Sequence, residues 1–149
     1  MLALYSGAVD ERIDVVCVSG YFQSRQEVWR EPIYRNVWGL LDEFGDAEIA
    51  HLICPRPLVI EASRGPEISG PPSVREGRDG AAPGRLVSPP LDSTRTEFKR
   101  AQIPYLKLAR PDAIRLVGDG SGPYGSREAL LRFLFCLGVQ GGADVRSGS

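Results

Sequence analysis

The chain has one histidine, three cysteines and almost no net charge in 149 residues, and each shortage closes off a class of chemistry. With 18 basic against 19 acidic residues the formal charge is −1, which argues against a general nucleic-acid binder. Cys17, Cys54 and Cys136 are widely spaced and form no C-x-x-C pair, so neither a disulfide framework nor a structural zinc site is expected. No apolar run approaches the roughly 20 residues that span a bilayer, so no integral membrane segment is expected. The opening MLALYSGAVDERID has no basic n-region and turns acidic by Asp10, which is unlike a signal peptide. A reducing cytoplasm is the expected compartment. Every histidine-based mechanism must pass through His51.

What is present is a soluble globular balance, 42% hydrophobic and 25% charged, at the length of one ordinary domain. Leu2 to Val9 is small and apolar and reads as helical. Ile13–Ser19 is β-branched and nearly continuously apolar, as in a parallel strand buried on both faces, and Gly20 ends it. Residues 21–45 mix charge with Tyr21, Phe22, Trp29, Tyr34, Trp38 and Phe44, and Val37, Leu40, Leu41 and Phe44 recur at helical spacing. Asp46 opens a short helix that stops before Pro55. Pro57–Ala62 is a second apolar strand.

Residues 69–90 hold nine Gly or Pro residues, a density that predicts a long loop without helix or strand. Thr94 and Glu97 have capping-box spacing ahead of a helix whose face is Phe98, Ala101, Tyr105 and Leu108, and Pro104 should kink it. Ala113–Val117 is a third strand, and Gly118–Gly125 is a glycine-rich turn. Ser126 then caps a last helix with a predicted buried stripe of Leu130, Phe133, Leu134 and Leu137. Residues 1–138 therefore form one unit, and 139–149 read as a disordered tail. The alternation predicts an α/β fold, a partial doubly wound parallel sheet of about three strands flanked by helices. Three apolar strands would leave an edge unpaired, so the list looks like one side of a larger sheet.

Several motifs invite chemistry. Gly120-Ser121-Gly122-Pro123-Tyr124-Gly125 matches G-x-G-x-x-G between a strand and a helix. A dinucleotide site also needs a further strand and an acid about 20 residues on; only Asp144, in the polar tail, lies at that distance. The alternative is a tight strand-to-helix turn. His51 and Cys54 share a helical face but make only two of the donors a metal needs. Cys17 and Cys136 fall on core elements without a basic neighbour in sequence. The aromatics of residues 21–38 either line a ligand cleft or pack a helical segment. Arg64, Arg75, Arg78 and Arg85 either bind an anion or, interleaved with Glu67, Glu76 and Asp79, make a solvated loop. No cofactor and no metal are expected.

The segment ALYSGAVDERIDVVCVSGYF, followed by EIAHLICPRPLVIEA, resembles the C-terminal half of an α/β-hydrolase, within that superfamily the dienelactone hydrolase and acetyl xylan esterase-like group. The resemblance covers residues 1–138. It implies a nucleophile elbow before a helix like Met1–Val9, an acid shortly after the strand ending near Ala62, and a histidine in the loop at Gly118–Gly125. The sequence contains no G-x-S-x-G. The acid position falls near Gly65, with Glu67 as the one close substitute, and the last loop holds Ser121 and Tyr124 but no histidine. A serine hydrolase without nucleophile and base loses most of its rate. The resemblance thus implies a serine esterase-type protein that is inactive as a hydrolase by itself. Its alternative is a binding or assembly module that completes a sheet with a separately encoded N-terminal half or with a second copy. A third reading is a small nucleotide-binding domain using Gly120, Gly122 and Gly125.

Overall fold

The computed structural model describes residues 1–71 and 84–139. Three strands, β1 (Val16–Ser19), β2 (Leu58–Glu61) and β5 (Ile114–Val117), form a parallel sheet in the order β1-β2-β5. Val16 stands beside Leu58 and Leu58 beside Ile114, so the three strands run in step. Each is shorter than its apolar run in the sequence, because Ile13, Asp14 and Val15 only lead into β1.

Strand alternation sorts the side chains into two layers. Val16, Val18, Leu58, Ile60 and Ile114 point into the main core with Leu4, Ala47, Ala50, Ile53, Ala101 and Tyr105. That core lies under helices α1 (Leu2–Val9), α3 (Asp46–His51) and α4 (Leu91–Lys107). On the other face Cys17, Val59 and Val117 meet Ala129 of helix α5 (Arg127–Cys136). The sheet is thus flanked on both sides, as the apolar strands require, but α5 is the whole cover of the second face among the described residues. The chain has a partial α/β fold.

Two arginines tie the layers together. Arg56, between the prolines that lead into β2, donates to the carbonyls of Gly7 (2.6 Å), Ile13 (2.8 Å) and Asp10 (3.0 Å), closing the end of α1 and the turn into β1. Tyr105 of α4 donates to the Arg56 carbonyl at 2.9 Å. Arg25 is buried with 4% of its surface exposed; its Nε lies 3.0 Å from both oxygens of Asp46, which is fully buried at the start of α3. Arg25 also donates to Glu31 at 2.8 Å and lies over the Tyr21 ring at 3.6 Å. Burial works against the Arg25 charge, but Asp46, Tyr21 and Glu31 raise its affinity for the proton.

The structure corrects the sequence reading in five places. Residues 69–90 were expected to hold no strand, yet β3 (Ile68–Ser69) pairs antiparallel with β4 (Arg85–Leu86), because Leu86 finds a buried place. Residues 72–83, with Arg75, Arg78, Glu76 and Asp79, lie outside the described residues, as do residues 140–149 of the expected tail and Asp144 within it. The helical spacing of Val37, Leu40, Leu41 and Phe44 yields only one helical turn, α2 (Leu40–Glu43), after two 3₁₀ turns, Val28–Arg30 and Ile33–Arg35. Helix α4 starts at Leu91, before Thr94 and Glu97. Those two side chains are drawn inward instead: Thr94 Oγ1 donates to the Phe22 carbonyl at 2.9 Å, and Glu97 accepts from the Ala47 amide at 3.3 Å. Trp29 and Trp38 are exposed rather than packed. The stripe on α5 is not buried either, since Leu130 and Leu137 are exposed and only Ala129 of this helix is buried.

Candidate functional site at the carboxyl edge of the sheet

The three parallel strands end at Ser19, Glu61 and Val117 on one edge of the sheet. Open α/β sheets bind their ligands at this edge, between the loops that leave the strands. Here those loops are 20–27, 62–67 and 118–126.

Their crossings are tight. Gly20 has a φ of +56°, and a Cβ on Gly65 would stand 2.6 Å from the Gly20 carbonyl oxygen. Any side chain at position 65 collides with that backbone. This explains physically why the place where the family resemblance expects an acid holds a glycine. Farther along, the Gly120 amide donates to Ala62 O at 3.0 Å and the Arg64 amide to Gly122 O at 2.8 Å, pinning the glycine-rich loop against the end of β2.

The carboxylate at the centre of the edge is Glu61, only 2% exposed. Its two oxygens accept the backbone N–H groups of Gly125 (2.8 Å) and Ser126 (2.7 Å). Burial pushes the Glu61 carboxyl up, but hydrogen bonds from Ser126, Ser19 and the Gly125 amide outweigh it and hold the group below the usual carboxylate range. These amides open α5, whose N-terminal dipole favours an anion. The G-x-G-x-x-G loop therefore closes on an anion of its own chain, in the place a pyrophosphate would occupy. Ser126 keeps its predicted capping role, accepting from the Ala129 amide at 3.2 Å. Two residues beyond Glu61, the buried Ser63 hydroxyl has no hydrogen-bond partner among the described residues.

Glu67 is brought to Ser88, not to an imidazole. Ser88 Oγ donates to Glu67 at 2.7 Å and accepts from the Gly65 amide at 3.1 Å. The Ser88 hydrogen bonds lower the proton affinity of the exposed Glu67 carboxyl. Such a pair ties two loops together; the hydroxyl gives its proton to a weak base and gains little nucleophilicity. Ser121 folds back on Asp119 at 2.7 Å. His51 lies on α3, away from all three loops in sequence and element, with Nε2 3.0 Å from the Arg100 carbonyl. Cys54 stays near it on the turn after α3, and the thiol is raised by burial. Cys17 is on β1, half-buried, 3.9 Å from the Ser19 hydroxyl, and burial likewise raises its thiol. Cys136, also half-buried, ends α5. Among the described residues no group of three or more His, Cys, Asp and Glu side chains is placed to hold a metal ion. No helix among them is long and apolar enough to cross a membrane.

Beside the edge, a cleft of about 350 Å³ opens between the segment after β1 and the start of α4. Gln23, Ser24, Glu27, Arg30, Arg85 and Ser93 line it, and Arg30 pairs with Glu27 at 2.7 Å.

Sequence reasoning missed Glu61, read only as part of the Pro57–Ala62 strand, and gave no reading of Ser63 just beyond it. The signal for Glu61 was an acidic residue inside an otherwise apolar run, facing a helix start that carries an unpaired N–H ladder.

No family model matches the chain, and no curated protein matches it. Among solved structures, a carbohydrate esterase family 15 (CE15) glucuronoyl esterase from Caldicellulosiruptor kristjansonii is similar, with a TM-score of 0.53 at 18% sequence identity. The likeness covers 93% of this chain and 41% of the esterase, so the chain spans about two-fifths of that protein's length. At this identity the likeness is one of fold, a parallel sheet flanked by helices.

Proposed function

We propose that this chain forms the C-terminal half of an α/β-hydrolase-type sheet and does not hydrolyse esters on its own. The observation that carries the reading is the occupancy of Glu61. Among the described residues, the one carboxylate buried at the carboxyl edge has both oxygens on the amides that open α5, and the edge holds no imidazole to take a proton from a hydroxyl. Without that base, neither Ser19, Ser63, Ser88 nor Ser121 becomes an effective nucleophile. Within the superfamily, the dienelactone hydrolase and acetyl xylan esterase-like group remains our assignment, supported by the IAHLICPRPLVIEA stretch. The expected cytoplasmic location is part of the same reading.

Short acyl p-nitrophenyl esters test it. The purified chain should show no turnover above buffer, and Glu67→Ala should change nothing. Turnover that is lost in Glu67→Ala would overturn the reading.

A second reading, favoured by the open edge of β1, is a module that completes its sheet with a separately encoded N-terminal half. Val16 donates inward to Pro57 and Gly20 to Glu61, so by alternation the amides of Cys17 and Ser19 point to the open edge. Hydrogen exchange checks this. Both amides should exchange fast in the chain alone and become protected when an α/β-hydrolase N-terminal half encoded upstream is added. Protection in a monomeric chain alone would argue against it.

A further inference from the structure

The face of α4 turned away from the sheet is used by neither reading above. Thr94, Glu97, Ala101 and Tyr105 are the buried side of this helix. Opposite them, at spacings of three and four, stand Lys99, Ile103, Leu106 and Lys107, all exposed. Ile103 is 46% exposed and Leu106 56%. Two further leucines are open to solvent where the paired helices end. Leu108 directly follows α4, and Leu52 directly follows α3, next to His51, whose ring meets the Arg100 carbonyl. The face is a short apolar ridge with a lysine one turn before Ile103 and another one turn after it.

The charge of this stretch has one sign. Phe98 to Pro111 contains Lys99, Arg100, Lys107 and Arg110 and no acidic residue. Arg100 is engaged by Glu97 and by Glu48 of α3. Lys99, Lys107 and Arg110 make no ion pair among the described residues. The acids that flank the ridge are already matched. Asp92, two turns before Lys99 on the same stripe, lies 3.7 Å from Arg95, and Asp112, beyond the helix, pairs with Arg115.

We propose that this face adsorbs to an anionic lipid surface, with Lys99 and Lys107 at the headgroups and Ile103 and Leu106 entering the boundary beneath them. Interfacial helices bind in this way, with the apolar side about 5–10 Å into the headgroup and acyl boundary and the basic side chains drawn to anionic lipid. A lysine stem is long enough to lie along apolar surface while its ammonium stays at the headgroups. A nucleic acid or an acidic polypeptide chain would match the lysines and leave Ile103 and Leu106 in water. A lipid surface uses both kinds of residue, and a protruding ridge suits a fluid layer. Completing the sheet would not cover this face, since α1 packs against β1 and α4 against β5, across the sheet from the open edge. The inference therefore stands apart from the proposed function.

Co-sedimentation of the full chain with lipid vesicles tests it. Vesicles of phosphatidylcholine with phosphatidylserine should bind the chain, and vesicles of phosphatidylcholine alone should not. Added salt should weaken binding, because exposed charges act only within about 10 Å at 0.1 M. Each basic residue at such a surface strengthens adsorption about fivefold, so Lys99→Gln with Lys107→Gln should weaken it roughly 25-fold. Ile103→Ser with Leu106→Ser leaves the charge unchanged and should weaken it about tenfold. Arg127→Gln, an exposed position on α5 across the sheet, should bind as the parent does. All of these side chains are exposed, so the variants are expected to fold, and circular dichroism checks it; the comparison of the two vesicle types needs no variant. Absence of binding, or equal binding to both vesicle types, overturns the proposal. So does full binding by Ile103→Ser with Leu106→Ser, or displacement from vesicles by duplex DNA or polyglutamate at matched charge, which would give the face to a soluble polyanion.

Discussion

The carboxylate of Glu61, at the end of the central strand, accepts the backbone N–H of Ser126 at 2.7 Å, joining the sheet to the first turn of α5 across 65 positions of sequence. Its other oxygen takes the Gly125 amide. Glu61→Ala leaves two donors without a partner and removes the charge at the helix dipole, at a cost of about 3 kcal/mol. Glu61→Gln keeps an acceptor and should cost about 1 kcal/mol. Urea denaturation of the three proteins checks the order; equal stability of parent and Glu61→Ala would mean that the contact contributes nothing.

The same carboxyl links folding to pH. Its folded proton affinity lies below the ordinary value, so the unfolded chain takes up the proton first as pH falls. The stabilisation is complete above the unfolded value of about 4.3 and is lost as pH drops through the folded one. The stability gap between parent and Glu61→Gln should therefore be widest near neutral pH and close in acid. A gap that does not change with pH would show that the charge of Glu61 is not involved.

Gly65→Asp would place an acid where the family resemblance looks for one, but its Cβ meets the Gly20 carbonyl at 2.6 Å. The expected result is a loss of about 2 kcal/mol with no gain in ester turnover. Thermal melts and the p-nitrophenyl assay read both halves; an undiminished melting temperature would mean the loops separate easily.

Asp46→Asn removes the fully buried carboxylate from Arg25, leaving Glu31 as its counter-charge, and should destabilise by about 3 kcal/mol. The double change Arg25→Met with Asp46→Leu should be milder than Asp46→Asn alone, since the guanidinium is then not left buried without the Asp46 carboxylate. Denaturant midpoints for the single and double variants decide it. A double variant as unstable as the sum of its parts would show that the pair gives more than mutual neutralisation.

Arg56→Met removes a guanidinium that serves the carbonyls of Gly7, Ile13 and Asp10. A loss of about 3 kcal/mol is expected, with Arg56→Lys recovering only part of it, because an ammonium cannot fork to three acceptors in one plane. Guanidinium unfolding of both variants measures it; full recovery by lysine would reduce the contact to simple charge.

What could be read from the sequence was local. The β-branched runs at Val16–Ser19 and Leu58–Glu61, and Ser126 ahead of α5, carry their causes within a few residues, and the parallel sheet followed from their alternation. The misreadings are tertiary. Thr94 and Glu97 have the spacing of a cap, but their partners are Phe22 and Ala47, 72 and 50 positions away. Arg25 looked like one charge among many until Asp46 was placed beside it. Glu61 is the clearest case: an acid in an apolar strand has no meaning until a helix start 64 residues on is folded against it. Of the candidate site, the glycine-rich turn at Gly118–Gly125 was legible, but not the residue at its centre.

The small antiparallel pair of Ile68 with Leu86 and Ser69 with Arg85 has one more consequence. It clamps both ends of the Gly/Pro-rich stretch, so the spacing of the carboxyl-edge loops does not depend on how much chain lies between Ser69 and Arg85. Lengthening a loop whose ends are held costs only ~0.6 kcal/mol per doubling. This makes the stretch a natural insertion port: a peptide tag or a small reporter domain could be spliced there, and cut out again, with the sheet and the Glu61 junction left standing.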